Sequence, residues 1–377
     1  MFSIVQNSML GEYLNYLGLS ISFIFSFLLI FLSLFVDKGF FILTKLERFS
    51  YLFFMIASVV GFYVYWGVEQ YSELAQAKGV KLLLLNILFL VPAYVSLNLE
   101  KKQVVTVLLL MLGCSLMAYV IFDLLSLSGF AKAILYSGSH DGRPRGLSAE
   151  SSYFGATVTC ISLAILAFAP RHLKYVAVFG LVLVLLSTSK GSVLCLVLAI
   201  FLAKVILHKL NKMLIASFSI SLLFLVIYFS ITDITFDIEG GTTFSTRFTV
   251  WYLALDSFSQ NLMGVSYAGY LAEFNSRIIN AVQVVSDIPV LGDDVNLYEV
   301  TSYVNTDRSS NIGTKSYFMD GLISYGLIFV SIFSLVVYRS IKTVKGMSSH
   351  LIDAGISQFW CMVLVMFMVL SLVIYIH

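Results

Sequence analysis

The chain has 377 residues, 59% of them hydrophobic and 12% charged, and a mean hydropathy of +0.94. Ordinary soluble domains carry about 25% charged residues, so a water-soluble globule is excluded. The formal net charge of +2 gives no reason to expect a nucleic-acid partner. Cys114, Cys160, Cys195 and Cys361 all fall inside apolar runs, with neither paired spacing nor histidine neighbours. They read as small buried hydrophobes rather than as a disulfide framework or a zinc site, and no metal centre is expected. Residues 1–13 lack Lys and Arg, so the basic start of a cleavable signal peptide is missing.

In lipid every backbone polar group needs an internal partner, so long apolar runs must be helices. A span needs roughly 20 apolar residues, and on that measure about ten are expected. In chain order they are 14–36, 49–68, 80–99, 104–125, 153–169, 175–189, 192–207, 213–231, 316–338 and 351–376. Only Lys190-Gly191 separates the sixth from the seventh, which predicts a tight helical hairpin. The expected fold is an all-α polytopic membrane bundle forming one integral domain over 1–377, with extracytoplasmic loops at 126–152 and 232–315.

Sidedness follows from where the short loops carry Lys and Arg. Lys38, Lys45 and Arg48, then Lys101 and Lys102, Arg171 and Lys174, Lys209 and Lys212, and Arg339, Lys342 and Lys345 all fall after odd-numbered spans. Those loops are expected in the cytoplasm. The loop around 143–150, the Lys190 tip and the long segment 232–315 then share the outer side, and both termini face outward. Within the long segment Phe244, Phe248, Trp251, Leu255 and Phe258 recur at helical spacing. This predicts a short amphipathic helix at the membrane surface, with Arg247 bordering its apolar stripe. Beyond Gly264 no pattern is assigned.

The outer loops concentrate charge in a chain that elsewhere has little. Arg143 and Arg145 flank Pro144, where the backbone is stiff and turn-like. A guanidinium binds phosphate oxygens through a planar fork of donors. Ser148 can cap the fifth helix, whose N-terminal amides add a second attraction for an anion. Lys190 and Arg247 supply further cations on the same side. Simpler roles exist for each: lipid-phosphate contacts for the arginines, a snorkelling tip charge for Lys190, and a gain of roughly 0.3–1 kcal/mol from the helix dipole for Glu150. The coincidence of the cations with Glu150 points to a receptor for a lipid-linked pyrophosphate at headgroup level.

Four pieces then resemble the bacterial O-antigen and capsule polymerases of the Wzy type, within the O-antigen ligase and polymerase superfamily. Arg143-x-x-Gly146-x-x-x-Glu150-x-Ser152 is similar to that family's Arg-x-x-Gly-x-x-x-Glu-Pro-Ser signature, with Ser151 in place of Pro. Ser187-Thr188-Ser189-Lys190-Gly191 resembles its Ser-x-Ser-Arg-Gly step, with Lys for Arg. Residues 245–266 (STRFTVWYLALDSFSQNLMGVS) look like its Arg/Trp helix followed by Asn-Pro-Leu-Leu-Gly-Val-Gly, with Leu262-Met263 replacing Pro-Leu. Residues 314–329 (TKSYFMDGLISYGLIF) resemble its entry into a late span, with Thr314-Lys315 where a histidine is common. In the ligase branch that histidine is thought to orient the acceptor, so its loss leans toward a polymerase.

The resemblance implies a GT-C-like glycosyltransferase of the bacterial cytoplasmic membrane with its site on the outer face. Its donor and acceptor would both be glycans on undecaprenyl pyrophosphate, and it would need no metal or other cofactor. Arg143, Lys190 and Arg247 would hold the leaving pyrophosphate with help from Arg145, and Glu150 and Arg143 would be the catalytic pair. His140, Trp251, Lys315 and Tyr317 would contact the acceptor sugars. Membrane lipids, a chain-length regulator and a flippase would be its partners. The competing expectations are an O-antigen ligase of the same fold and a flippase for the lipid-linked unit. A flippase needs cations along its spans, and here only Asp123 approaches the middle of one.

Overall fold

The computed structural model describes residues 52–53, 56, 59–60, 63, 100–124, 151–186, 189–207, 242–288, 316–347 and 354–374. These residues are helical, with no strand among them. The helices are α1 (Lys101–Ala118), α2 (Ser151–Phe168), α3 (Lys174–Leu186), α4 (Lys190–Leu207), α5 (Thr242–Gln260), α6 (Ser266–Ser286), α7 (Tyr317–Lys345) and α8 (Ala354–Ile374). A π-helical stretch, Tyr119–Leu124, extends α1, and a 3-10 turn, Arg171–Leu173, precedes α3. Three of the described helices are long and apolar enough to cross a membrane: Lys101–Ile121, Tyr317–Lys345 and Gly355–Val373. The stretches Phe154–Phe168 and Gly191–Leu207 are apolar but shorter. The first, third and eighth expected spans, and nearly all of the second, lie outside the described residues, as do both termini.

The chain divides into two compact units. One takes Met1–Lys38, Val91–Tyr228 and Val337–Ile374, and the other Gly39–Leu90, Phe229–Val336 and Tyr375–His377. In the first, α2 is the central helix and packs against α1, α3, α4 and α8, while α8 also packs on α4. Helix α2 is apolar on every side, as a helix enclosed by others must be. Its Phe154, Val158, Leu163 and Ile165 are all at most 2% exposed. Small residues let these backbones approach, the usual device where lipid gives helices no hydrophobic reason to associate. Gly180 of α3 sits against Ser162 of α2 and Leu112 of α1, and a Cβ on Gly180 would overlap the Ser162 hydroxyl. Helix α3 turns Tyr175, Val178, Phe179 and Val182 outward, with Tyr175 69% and Phe179 66% exposed. An exposed apolar row of this kind on a buried-core bundle is a lipid-facing surface.

The second unit is built on the antiparallel pair α5 and α6 and the start of α7. Val250, Leu253 and Ala254 of α5 meet Tyr270, Phe274, Ile278, Ala281 and Val282 of α6 and Met319, Leu322 and Ile323 of α7. The long outer segment thus contains a helical hairpin, and α6 supplies the pattern that the sequence reading left unassigned beyond Gly264. Of the expected α5 stripe, Phe248 and Leu255 stand open, while Trp251 and Phe258 are partly buried against the core. Phe248 and Leu255 are exposed at 37% and 53%, whereas Thr249, Val250, Leu253, Ala254 and Ser257 are fully buried. Val250, Leu253 and Ala254 face α6, with Trp251, Tyr252 and Phe258 packed at the margin of the same core.

The ninth expected span is broken. Gly326 lies inside α7 with φ 56 and ψ −137, outside helical space. The chain folds back there: the Phe318 ring lies 5.7 Å from Phe329 and 5.2 Å from Phe333. On a straight helix residues 318 and 333 would be roughly 22 Å apart along the axis. Residues 317–325 therefore form a short helix folded against the beginning of the following one.

Candidate functional site

Sequence pieces far apart in the chain meet in pairs. The first pair joins α2 to α4. Gly155 is in the first turns of α2, just past the Arg143–Ser152 piece, and Ser189 immediately precedes α4 within the Ser187–Gly191 piece. A Cβ on Gly155 would overlap the Ser189 side chain and come within 3.1 Å of the Ser192 hydroxyl. Ser189 Oγ donates to Ser192 Oγ at 2.8 Å, and the two serines are 3% and 1% exposed. The two helix N-termini therefore open at one end of this unit. At its other end Lys174 Nζ donates to Ser357 Oγ at 3.3 Å, and Gln358 Nε2 donates to the carbonyls of Val344 at 2.9 Å and Lys345 at 3.2 Å. The basic stretches 171–174 and 339–345 thus gather opposite the Ser151 and Lys190 end of this unit.

The second pair joins the turn between α5 and α6 to the break in α7. An unbroken helix would bond the Leu327 amide to the Ile323 carbonyl. Here the turn takes both partners: Leu327 N–H donates to Leu262 O at 2.8 Å, and Val265 N–H donates to Ile323 O at 3.0 Å. The approach needs glycine on both sides. Gly264 has φ 77, and a Cβ there would lie 2.5 Å from the backbone of Ser324 and Tyr325. A Cβ on Gly326 would overlap the Leu262 carbonyl. Ser266, next in the turn, also has a positive φ of 60, a conformation that costs a non-glycine residue about 1 kcal/mol or more.

A polar clamp fixes this turn. Glu273 Oε1 accepts from Ser257 Oγ at 2.9 Å, from Asn261 Nδ2 at 3.1 Å and from Arg277 Nε. Arg277 also donates to Asp256 Oδ2 at 2.7 Å and to Gln260 Oε1 at 2.9 Å. Burial works to lower the Arg277 pKa, but the bonds and charges of Asp256 and Glu273 more than offset it and hold it above its ordinary value. The guanidinium is therefore charged throughout the working pH range and locks α5 to α6. Nearby, Tyr270 OH donates to Asp320 Oδ1 at 2.8 Å, tying α6 to the folded-back segment of α7. Sequence reasoning missed Asp256, Glu273, Arg277 and Asp320 as a set. The available signal was the spacing of Tyr270, Phe274, Ile278 and Val285 on one face of α6, with Glu273 and Arg277 one turn apart.

Of the expected site residues, His140, Arg143, Arg145, Glu150 and Lys315 lie outside the described residues. Lys190 is the first residue of α4 in the first unit. Arg247 is half-buried on α5 of the second unit, one turn before Trp251, which is partly buried against the hairpin core. Tyr317 opens α7, is 48% exposed and sets its ring edge-on to Phe329 at 5.8 Å.

The chain is 26% identical over 306 residues to an "uncharacterized 49.5 kDa protein in cps region" of Klebsiella pneumoniae, a stretch covering 77% of this chain and 68% of that protein. No model of a known family matches the chain, and no solved structure matches it.

Proposed function

We propose that this chain is a membrane glycosyltransferase that joins undecaprenyl-pyrophosphate-linked repeat units into capsular polysaccharide or O-antigen on the outer face of the bacterial cytoplasmic membrane. The similarity to a protein in a cps region supports a capsule-related role. The observation that carries the reading furthest is the pairing of the sequence pieces. The pieces at 245–266 and 314–329 dock at Gly264 and Gly326, and Ser189 of the 187–191 piece packs against Gly155, three residues past the 143–152 piece. Pieces recognised separately along the chain thus behave as two built junctions.

In this reading an acceptor hydroxyl attacks the anomeric carbon of the donor glycan. The new glycosidic bond forms as the carbon–oxygen bond to the lipid pyrophosphate breaks, and the hydroxyl proton passes to Glu150. Arg143, Arg145, Lys190 and Arg247 stabilise the charge that develops on the departing pyrophosphate, which removes the need for a metal ion. His140, Trp251, Lys315 and Tyr317 contact the acceptor.

The test is reconstitution of the full chain with its host's lipid-linked repeat unit in the presence of EDTA, beside Arg143→Ala and Glu150→Gln. A ladder of lengthened lipid-linked glycans from the native chain, lost in both variants, is the expected result. Transfer of glycan to a lipid A core acceptor without chain growth would replace the polymerase with a ligase. Movement of unextended repeat unit across the proteoliposome bilayer would replace it with a flippase.

A further inference from the structure

We infer that the folded-back start of α7 is a re-entrant helix and that the turn at Leu262–Met263 is sunk into the bilayer leaflet opposite Arg339, where lipid acyl chains cover it. The inference concerns how the second unit meets the membrane and holds whatever the chain transfers.

Depth comes first. From Gly326 the helix runs on through apolar residues to Arg339, Lys342 and Lys345. At about 1.5 Å per residue the rise from Gly326 is roughly 20 Å to Arg339 and roughly 24 Å to Lys342. The hydrocarbon core is about 30 Å thick. With the cations at one headgroup level, the break falls some 6–10 Å short of the far one, and tilt only increases the shortfall. Residues 317–325 fold back beside the first turns after the break, as the Phe318 contacts with Phe329 and Phe333 require. They therefore lie at membrane depth without extending the span.

Backbone satisfaction comes second. Irregular backbone inside a bilayer is tolerated where it is buried in protein or lines a water-filled cavity, because its polar groups must find partners that lipid cannot supply. Here the exchanged bonds of Leu262 with Leu327 and of Val265 with Ile323 give the break its cover. The turn that supplies them must then share its depth.

Surface chemistry comes third. Leu262 is 51% exposed and Met263 66%, in line with exposed Phe248 and Leu255 at successive seven-residue steps along α5. The open side of α6, by contrast, is mostly polar, with Ser276, Asn280, Gln283 and Ser286 around one apolar residue, Ile279, that is 75% exposed. One face of the hairpin suits acyl chains and the other suits water. A helix lying in the interface buries its apolar face by about 5–10 Å, and a tip pinned to an interrupted span goes at least that deep.

The experiment is collision-based spin-label depth measurement on the full chain in phosphatidylcholine–phosphatidylglycerol vesicles. Labels are placed by Met263→Cys, Leu255→Cys and Ser276→Cys after the four native cysteines are replaced by alanine. Oxygen reaches a label in hydrocarbon, and a water-soluble nickel chelate reaches one in water. The Met263→Cys label is expected about 5–10 Å below the phosphates, with Leu255→Cys also oxygen-accessible and Ser276→Cys open to nickel. A nickel-accessible Met263→Cys label would overturn the inference. So would a label reached by neither collider, because protein would then cover the turn. If the cysteine-free background does not fold, brominated-lipid quenching of Met263→Trp in the otherwise native chain gives the same reading: quenching beyond that of the native tryptophans supports the inference, and none overturns it.

Discussion

The two units solve one packing problem by different chemistry. In the first, Gly155 against Ser189 and Gly180 against Ser162 let apolar helices touch through missing side chains, and the contacts are steric. In the second, α5 and α6 are joined by a charged clamp, and the turn between them is joined to α7 through exchanged backbone bonds. A lipid-embedded bundle has little use for the hydrophobic effect between helices, so shape decides. A hairpin that meets both water and a broken helix has polar groups to satisfy, so hydrogen bonding decides.

That contrast can be broken at several points. The largest effect is expected from Gly326→Ala, which demands a positive φ of an L-residue and drives a Cβ into the Leu262 carbonyl. A loss of about 3 kcal/mol or more is expected, read as a fall in thermal midpoint in detergent. Faster amide exchange confined to 261–265 and 323–327 would mark the junction as its source. Gly155→Ala comes next. Overpacking of the α2–α4 contact should cost about 2 kcal/mol, and the simultaneous replacement Ser189→Gly should recover part of it by freeing the overlapped space.

Arg277→Met should cost about 2 kcal/mol, less than a fully buried pair because the three charged side chains keep 14–21% of their surface. A double-mutant cycle with Asp256→Asn measures the coupling directly, and additive effects would show that the clamp is not a unit. The smallest effect, of opposite sign, is expected from Gly113→Ala and Gly355→Ala. A Cβ at either position meets nothing within 4 Å, so each helix should gain about 0.5–1 kcal/mol. If these also destabilise, strain at the other glycines is not what separates the two classes.

Much of the first unit was legible in the sequence. Apolar runs bounded by Lys174, Lys190 and Lys209 delimited α3 and α4 to within a few residues, because hydropathy changes sharply at those charges. The break in α7 was not, because Tyr325-Gly326-Leu327 is as apolar as its surroundings and the cause lies at Gly264, remote in the chain. The α5 stripe was legible only in part, since Phe248 and Leu255 stand open while Trp251 and Phe258 pack on the hairpin core. Phe248 and Leu255 are as greasy as Val250 and Leu253, and composition cannot separate a face that meets protein from one left open. Helix α6 was legible in principle, but Glu273, Asn275 and Arg277 interrupt its apolar face and hide it from a search for long greasy runs. The charged loop at 143–150, where the sequence argument for the site is strongest, lies outside the described residues.

The π-helical stretch Tyr119–Leu124 at the end of α1 has a consequence for how this chain tolerates length change. A π turn holds about one residue more than an α turn, so it stores an insertion inside the helix rather than in a loop. Since each α-helical residue advances by about 100°, deleting one residue there should restore α geometry while Lys101–Ala118 keeps its facing toward α2. The chain leaving Leu124 would keep its heading as well. The stretch is thus a phase adjuster, a place where the helix can absorb a length change of one residue without turning its packed face away from its neighbour.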